Sequence, residues 1–160
     1  MRQPDARGFT LPEVMAGIVI MGIVIAASVP NLVSYRESQR MATACDRVAA
    51  ACRAARAQAR SQNHSIIVEY RTDDSEIAVI EDADDNGVAD AGEPVHVFSL
   101  PGGVTLASTT FTGDQLVFNG RGQALEGGSV TLQARSDRVE PMRVRVSAGT
   151  GYVKVVPGDG

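Results

Sequence analysis

The chain has 160 residues, 44% of them hydrophobic and 4% aromatic with no Trp, so it can bury one core made mostly of aliphatic side chains and Ala. The formal net charge is -4 but unevenly spread: residues 36–63 carry six Arg against Glu37 and Asp46, whereas residues 64–118 carry Arg71 against eleven acids. A globally acidic chain with a local basic segment is not a generic nucleic-acid binder.

The first eight residues, MRQPDARG, are polar and include Arg2 and Arg7. Glu13 then stands directly before 22 uncharged residues, Val14 to Tyr35. At ~1.5 Å per residue such a run spans about 33 Å as a helix, enough to cross a bilayer. The two arginines ahead of it put the leader on the cytoplasmic side and the rest of the chain outside. A secretory signal peptide competes with this reading, with Ala26-Ala27-Ser28 as the cut site and a mature start near Val29. Its apolar region normally runs only about 7–15 residues, however, and the helical pattern here continues past Ser28 without a loop signal.

Beyond Tyr35 the apolar residues become one-sided. Met41, Cys45, Val48, Ala49, Cys52, Ala55 and Ala59 recur at spacings of three and four, while Arg40, Arg47, Arg53, Arg56 and Arg60 lie mostly off that face. Cys45 and Cys52 are about 10 Å apart along such a helix, too far for a mutual disulfide, and read as small buried apolar residues. One helix is expected from about Phe9 to about Asn63, bent or locally opened at Pro30.

From Ser65 the period changes to two. SIIVEY, EIAVIE, VHVFSL, QLVFN, SVTLQAR, MRVRVS and YVKVV read as short strands, separated by turns at 72–74, 101–103, 120–122, 126–128 and 149–151. Runs of strands following a helix give an α+β fold, with a long N-terminal helix packed on an antiparallel β-sheet domain. Between the second and third runs lies DADDNGVADAGE, Asp82 to Glu93, which meets the calcium-loop pattern D-x-[DN]-x-[DN]-G-x5-E at every specified place. Asp82, Asp84 and Asn86 would offer side-chain oxygens to calcium, and Gly87 the sharp turn. The Val88 carbonyl, Asp90 through water, and Glu93 would complete the set. The flanks are strands rather than helices, so this is no EF-hand, and a solvated acidic hairpin turn is the reading we favour. His64 and His96 have no ligand-spaced partner suggestive of zinc, and neither a G-x-S-x-G elbow nor a phosphate-cradling glycine loop is present. Arg143, Arg145 and Lys154 offer a basic patch near the C-terminus, against the simpler reading of a solvated strand face.

The stretch RGFTLPEV, residues 7–14, closely resembles the processing site of type IV prepilins and type II secretion pseudopilins, departing from it at Pro12, where the family usually has an aliphatic residue. The resemblance implies that a prepilin peptidase cuts after Gly8, that Phe9 is N-methylated, and that Glu13 pairs with the amine of an adjacent subunit during assembly. Pro12 is physically tolerable after that cut, because the first four N–H groups of a helix have no partner anyway. LVFNGRGQAL and VRVSAGTGYVKV resemble the GspH/FimT branch of the family, so the resemblance covers essentially the whole chain. It implies a non-enzymatic minor pseudopilin or minor pilin of the bacterial inner membrane, single-pass, with a periplasmic C-terminal domain. Such a subunit joins other pilins or pseudopilins in a filament, near the tip. The organisation is then leader 1–8, transmembrane and assembly helix 9–35, amphipathic helix 36–63 and β-rich domain 64–160. The alternative within the family is a DNA- or substrate-binding minor pilin of FimT type. DNA is the less favoured partner, since the C-terminal turn GTGYVK has Tyr152 and Lys154 where arginines are expected.

Overall fold

The computed structural model describes residues 9–158, with the side chains of 27–31 outside that description. The chain divides into two compact units, Met1–Tyr35 and Arg36–Gly160. Helix α1 (Leu11–Gln62) starts two residues later than the apolar pattern suggested and ends within one residue of it. Pro12 falls at its second position, inside the first turn, where its missing N–H costs no intrahelical bond. The helix is continuous through position 30, and the bend expected at Pro30 falls among the side chains that are not described.

In the first unit the described part of α1 is exposed and apolar: Leu11, Met15, Ile18, Val19, Ile20, Met21, Ile23, Val24 and Ile25 all lie on its surface. Among the described residues, no helix is long and apolar enough to cross a membrane. The span expected over 9–35 is therefore not met by them. It runs into positions 27–31, and the described apolar part before them stops at Ala26, short of the ~20 residues that a crossing takes.

In the second unit the one-sided stripe of α1 is the floor of the core. Met41, Cys45, Val48, Ala49, Cys52, Ala55 and Ala59 are all at most 1% exposed, joined by Ala44 on the same face. These side chains share one core cluster with residues of both sheets. Among the described residues eight strands follow rather than seven: β1 (Ser65–Arg71), β2 (Glu76–Asp82), β3 (Val95–Ser99), β4 (Val104–Thr109), β5 (Gln115–Phe118), β6 (Gly128–Ala134), β7 (Met142–Val146) and β8 (Val153–Pro157). They form two four-stranded sheets, β3-β2-β1-β5 and β4-β6-β7-β8, antiparallel throughout.

Strand β4, VTLAST, has a polar second half and a register shift between Leu106 and Ser108, which blurs its period of two. Its two apolar anchors, Val104 and Leu106, are buried all the same.

Period two sorts the first sheet. Ile66, Val68, Tyr70, Ile77 and Val79 face the main core with the helix stripe, and Ile67, Ala78 and Ile80 form a second cluster on the opposite face. Ala89, from the acidic loop, packs on that second cluster. Tyr70 stacks on Phe111 with ring centroids 5.5 Å apart. Its hydroxyl lies 3.2 Å from Cys52 Sγ, so the one polar atom of this buried ring has a partner. Both cysteines are free and buried, as the spacing indicated. Burial raises both thiol pKa values from 9.0 to about 11, which makes them inert packing groups.

Candidate assembly and loop sites

Three groups of side chains were candidates from sequence: the start of α1, the acidic loop and the basic strand face. Gly8 lies outside the described residues. Phe9 is exposed just ahead of α1, and Glu13 is exposed in its first turn. The structure adds a contact that the sequence reading passed over. The Thr10 N–H donates to Glu13 Oε2 at 3.5 Å, while Glu13 N and Val14 N bond back to the Thr10 carbonyl. This is the side-chain half of a capping box, and its signal was the spacing Thr-x-x-Glu. Glu13 therefore has a local role at the helix end.

The acidic loop closes β2 onto β3. Asp82, at the end of β2, is fully buried, and its carboxylate accepts from Asn86 N at 3.1 Å and Gly87 N at 2.7 Å. Gly87 has φ +75°, the left-handed conformation its place in the motif calls for. Asn86 Nδ2 reaches both Asp84 and Asp90, and Glu93 accepts from Ala83 N and Asp90 N. One carboxylate oxygen each from Asp82, Asp84 and Glu93 lies within 4.8 Å of the others. That is an oxygen-only donor set of the kind a hard cation takes, with Asp90 at its rim and Val88 exposed beyond it. Yet the loop also satisfies itself, since backbone N–H groups already point at Asp82, Asp84 and Glu93. Burial raises the Asp82 pKa, opposed by the bonds from Gly87 and Asn86 and helped by the neighbouring Asp84. The loop and the end of β2 are also tied to the end of α1 and the start of β1. Ser65 N donates to Asp85 at 2.6 Å, His64 pairs with Asp85 at 3.5 Å, and Gln58 bonds Glu81. The Ser65 bond holds the Asp85 carboxyl below its usual range, with His64 adding to the effect.

On the second sheet Arg145 stands directly opposite Lys154, and Arg143 lies two residues along the same face. The structure thus brings the three cations together. Neither arginine is free, however, since each takes part in an interaction of its own. His96 sits on the exposed strand β3, and His64 pairs only with Asp85, so neither gathers a zinc-like set among the described residues.

Two sequence profiles of known families match the chain. The one described as type II transport protein GspH covers residues 44–150, and the prokaryotic N-terminal methylation motif covers residues 4–29. This chain belongs to the GspH family. Among solved structures, the type IV minor pilin FimU of Pseudomonas aeruginosa is similar with a TM-score of 0.60 at 15% identity, over 79% of this chain and 95% of that one. The minor pseudopilin EpsH from the type 2 secretion system of Vibrio cholerae is similar with a TM-score of 0.59 at 12% identity, over 76% and 99%. At such identities these two share the fold: a long helix packed on antiparallel sheets. No curated protein is similar enough in sequence to count as a relative.

As a member of the GspH family carrying the methylation motif, the chain is a minor pilin or pseudopilin, a structural protein and not an enzyme. The motif implies processing by a prepilin peptidase, anchoring in a membrane and assembly with other pilins. The GspH match begins at Ala44, near the start of the buried stripe, and ends at Thr150, so it takes in the acidic loop, Arg143 and Arg145 but stops short of Lys154.

Proposed function

We propose that this chain is a minor subunit anchored in the bacterial inner membrane by the apolar first part of α1, with residues 36–160 on the periplasmic side. It is cut after Gly8, methylated on Phe9, and added near the tip of a type II secretion pseudopilus or a type IV pilus. The observation that carries this is the sequence of features at the N-terminus: a methylation motif over 4–29 and then an exposed, apolar helical stretch whose charge is Glu13. An isolated helix with that surface is insoluble alone and needs a bilayer or neighbouring helices around it. Cleavage creates a positive amine at Phe9, one helical turn from Glu13. A carboxylate drawn into apolar surroundings needs a cation beside it, and the amine of an adjacent subunit supplies one.

The contact between Thr10 and Glu13 sharpens the test. Gln at position 13 still fits a capping box but carries no charge. Both Glu13→Ala and Glu13→Gln are expected to be processed normally and to be missing from sheared filaments. A Glu13→Gln chain incorporated at the parental level would mean that Glu13 acts only as a helix cap.

A further inference from the structure

Strand β3 is an outer strand of the first sheet, paired with β2 and with no strand on its other side among the described residues. All five of its residues are exposed, and Val95, Val97 and Phe98 are each about half so. The direction of its backbone groups follows from the ladder. Glu81 N bonds the Pro94 carbonyl and Leu100 N bonds the Ser75 carbonyl, which fixes the hydrogen-bonded pairs at both ends. Such pairs alternate along antiparallel strands, so the backbone of His96 and Phe98 faces β2 and that of Val95, Val97 and Ser99 faces outward. The Ser99 carbonyl agrees, since it accepts from Arg47 Nη1 of α1 at 3.4 Å.

The other outer strands are blunted. β4 has its bulge, β8 carries Lys154 and ends on Pro157, and β5 is partly covered by the bridge from Phe118 to Ala124. β3 reads VHVFS, with no lysine, no proline and no shift in its register with β2. A flat apolar edge of this kind is a template for another strand. Beside it runs a groove of about 510 Å³, with Ala50, Ala51 and Ala54 of α1 on one wall and Ile77, Phe98 and Leu100 on the other. Arg47 also lines it. Arg47 is exposed, and no described carboxylate lies within ion-pairing distance of it. Glu76, across the ladder from Ser99, is engaged by the Ser99 hydroxyl at 3.1 Å.

We propose that this edge and groove receive an extended segment of another protein, added antiparallel to β3 as a fifth strand of the sheet. Its backbone bonds that of Val95 and Val97. The side chain opposite Phe98 is aliphatic and enters the groove over the three alanines. Antiparallel addition brings the segment's N-terminal end to Ser99, where a carboxylate meets Arg47. Two features select this occupant. Unpaired backbone groups at alternate residues match a strand, and neither a helix nor a compact ligand can pair with them in series. The guanidinium of Arg47 has donors beyond the one used on Ser99, and its charge calls for an acid. All of these residues lie in the unit 36–160, so the inference stands apart from the membrane anchor.

The test uses the full chain in detergent and isothermal titration with a synthetic peptide, blocked at both ends, that alternates valine and threonine after an N-terminal glutamate. With the valines on the groove side, the threonine amides point at β3. N-methylation of the threonines should therefore abolish binding, and N-methylation of the valines should leave it intact. Lysine in place of the glutamate should weaken binding roughly tenfold, the effect of one charge-assisted bond, and Arg47→Gln should remove that difference. Val97→Pro deletes an outward N–H while keeping the bonds to β2, so it should lower affinity roughly tenfold or more. Val97→Lys, a common guard of natural edges, should do the same if proline disturbs the strand. Absence of saturable binding at millimolar peptide overturns the proposal, as does binding that is indifferent to which row of amides is methylated. Self-association of the parent chain that is lost on Val97→Lys would give the edge to a second copy and overturn the assignment to another protein.

Discussion

Gly151 offers the sharpest test of how the C-terminal turn is packed. It is buried, at φ +62°, and a Cβ there would lie 2.9 Å from Phe118 Cε1, 3.0 Å from the Gly122 carbonyl oxygen and 3.3 Å from Arg56 Cδ. Phe118 is fully buried and Arg56 Nε donates to that same carbonyl at 3.1 Å, so none of these neighbours can swing away freely. Gly151→Ala therefore meets two costs: about 1–2 kcal/mol for an L side chain in the left-handed region and about 1–3 kcal/mol for overpacking. The sum, roughly 2–5 kcal/mol, corresponds to a fall in Tm of roughly 6–20 °C for a unit of this size. Gly149 provides the control. It has φ +71° in the same turn, but nothing lies within 4 Å of its absent Cβ. Gly149→Ala should bear the strain alone, roughly 1–2 kcal/mol. Thermal unfolding by circular dichroism measures both. Equal losses for the two variants would refute the packing described between this turn, Phe118 and Gly122.

Other outcomes follow from the same packing and charge pattern. The two thiols, with pKa raised from 9.0 to about 11, should resist alkylation at pH 8 in the folded chain and react once it is unfolded. Because the folded values are the higher ones, their contribution to stability is complete below about pH 9 and is lost as pH rises through about 11. Tyr70→Phe should cost about 1 kcal/mol in urea unfolding, since it leaves the buried Cys52 thiol without its partner. The acidic loop closes through its own hydrogen bonds, so millimolar calcium is expected to leave Tm unchanged; a rise would make Asp82, Asp84 and Glu93 cation ligands. Retention on DNA at physiological salt is expected to be absent. Salt-dependent retention abolished by Arg143→Ala with Arg145→Ala would give the strand face a nucleic-acid role.

The helix stripe was legible because small and aliphatic residues recur at one spacing from Met41 to Ala59, and every one of them is buried. The seven clean strand runs were legible for the equivalent reason. β4 was not: its polar second half and its bulge at Leu106 and Ser108 erase the alternation over half its length, and its place is set by pairing with β6. The division into two sheets was equally hidden, because β1 pairs with β5 across a long stretch of intervening chain. At the N-terminus, Glu13 was read as a charge beside a membrane run and as an assembly residue, although Thr10 three residues earlier also marks it as part of a helix cap. The acidic motif announced its own convergence, but not its ties to His64 and Ser65 at the junction of α1 and β1. Glu37 and Arg40 lie one helical turn apart on α1 but far before Arg135 in sequence, and only the fold brings the three to one pocket.

The central claim is that this chain is processed and assembled as a pilin-like subunit. Mass spectrometry of the mature N-terminus tests it most directly. The account predicts a chain that begins with N-methylated Phe9; a chain that begins near Val29 would contradict it.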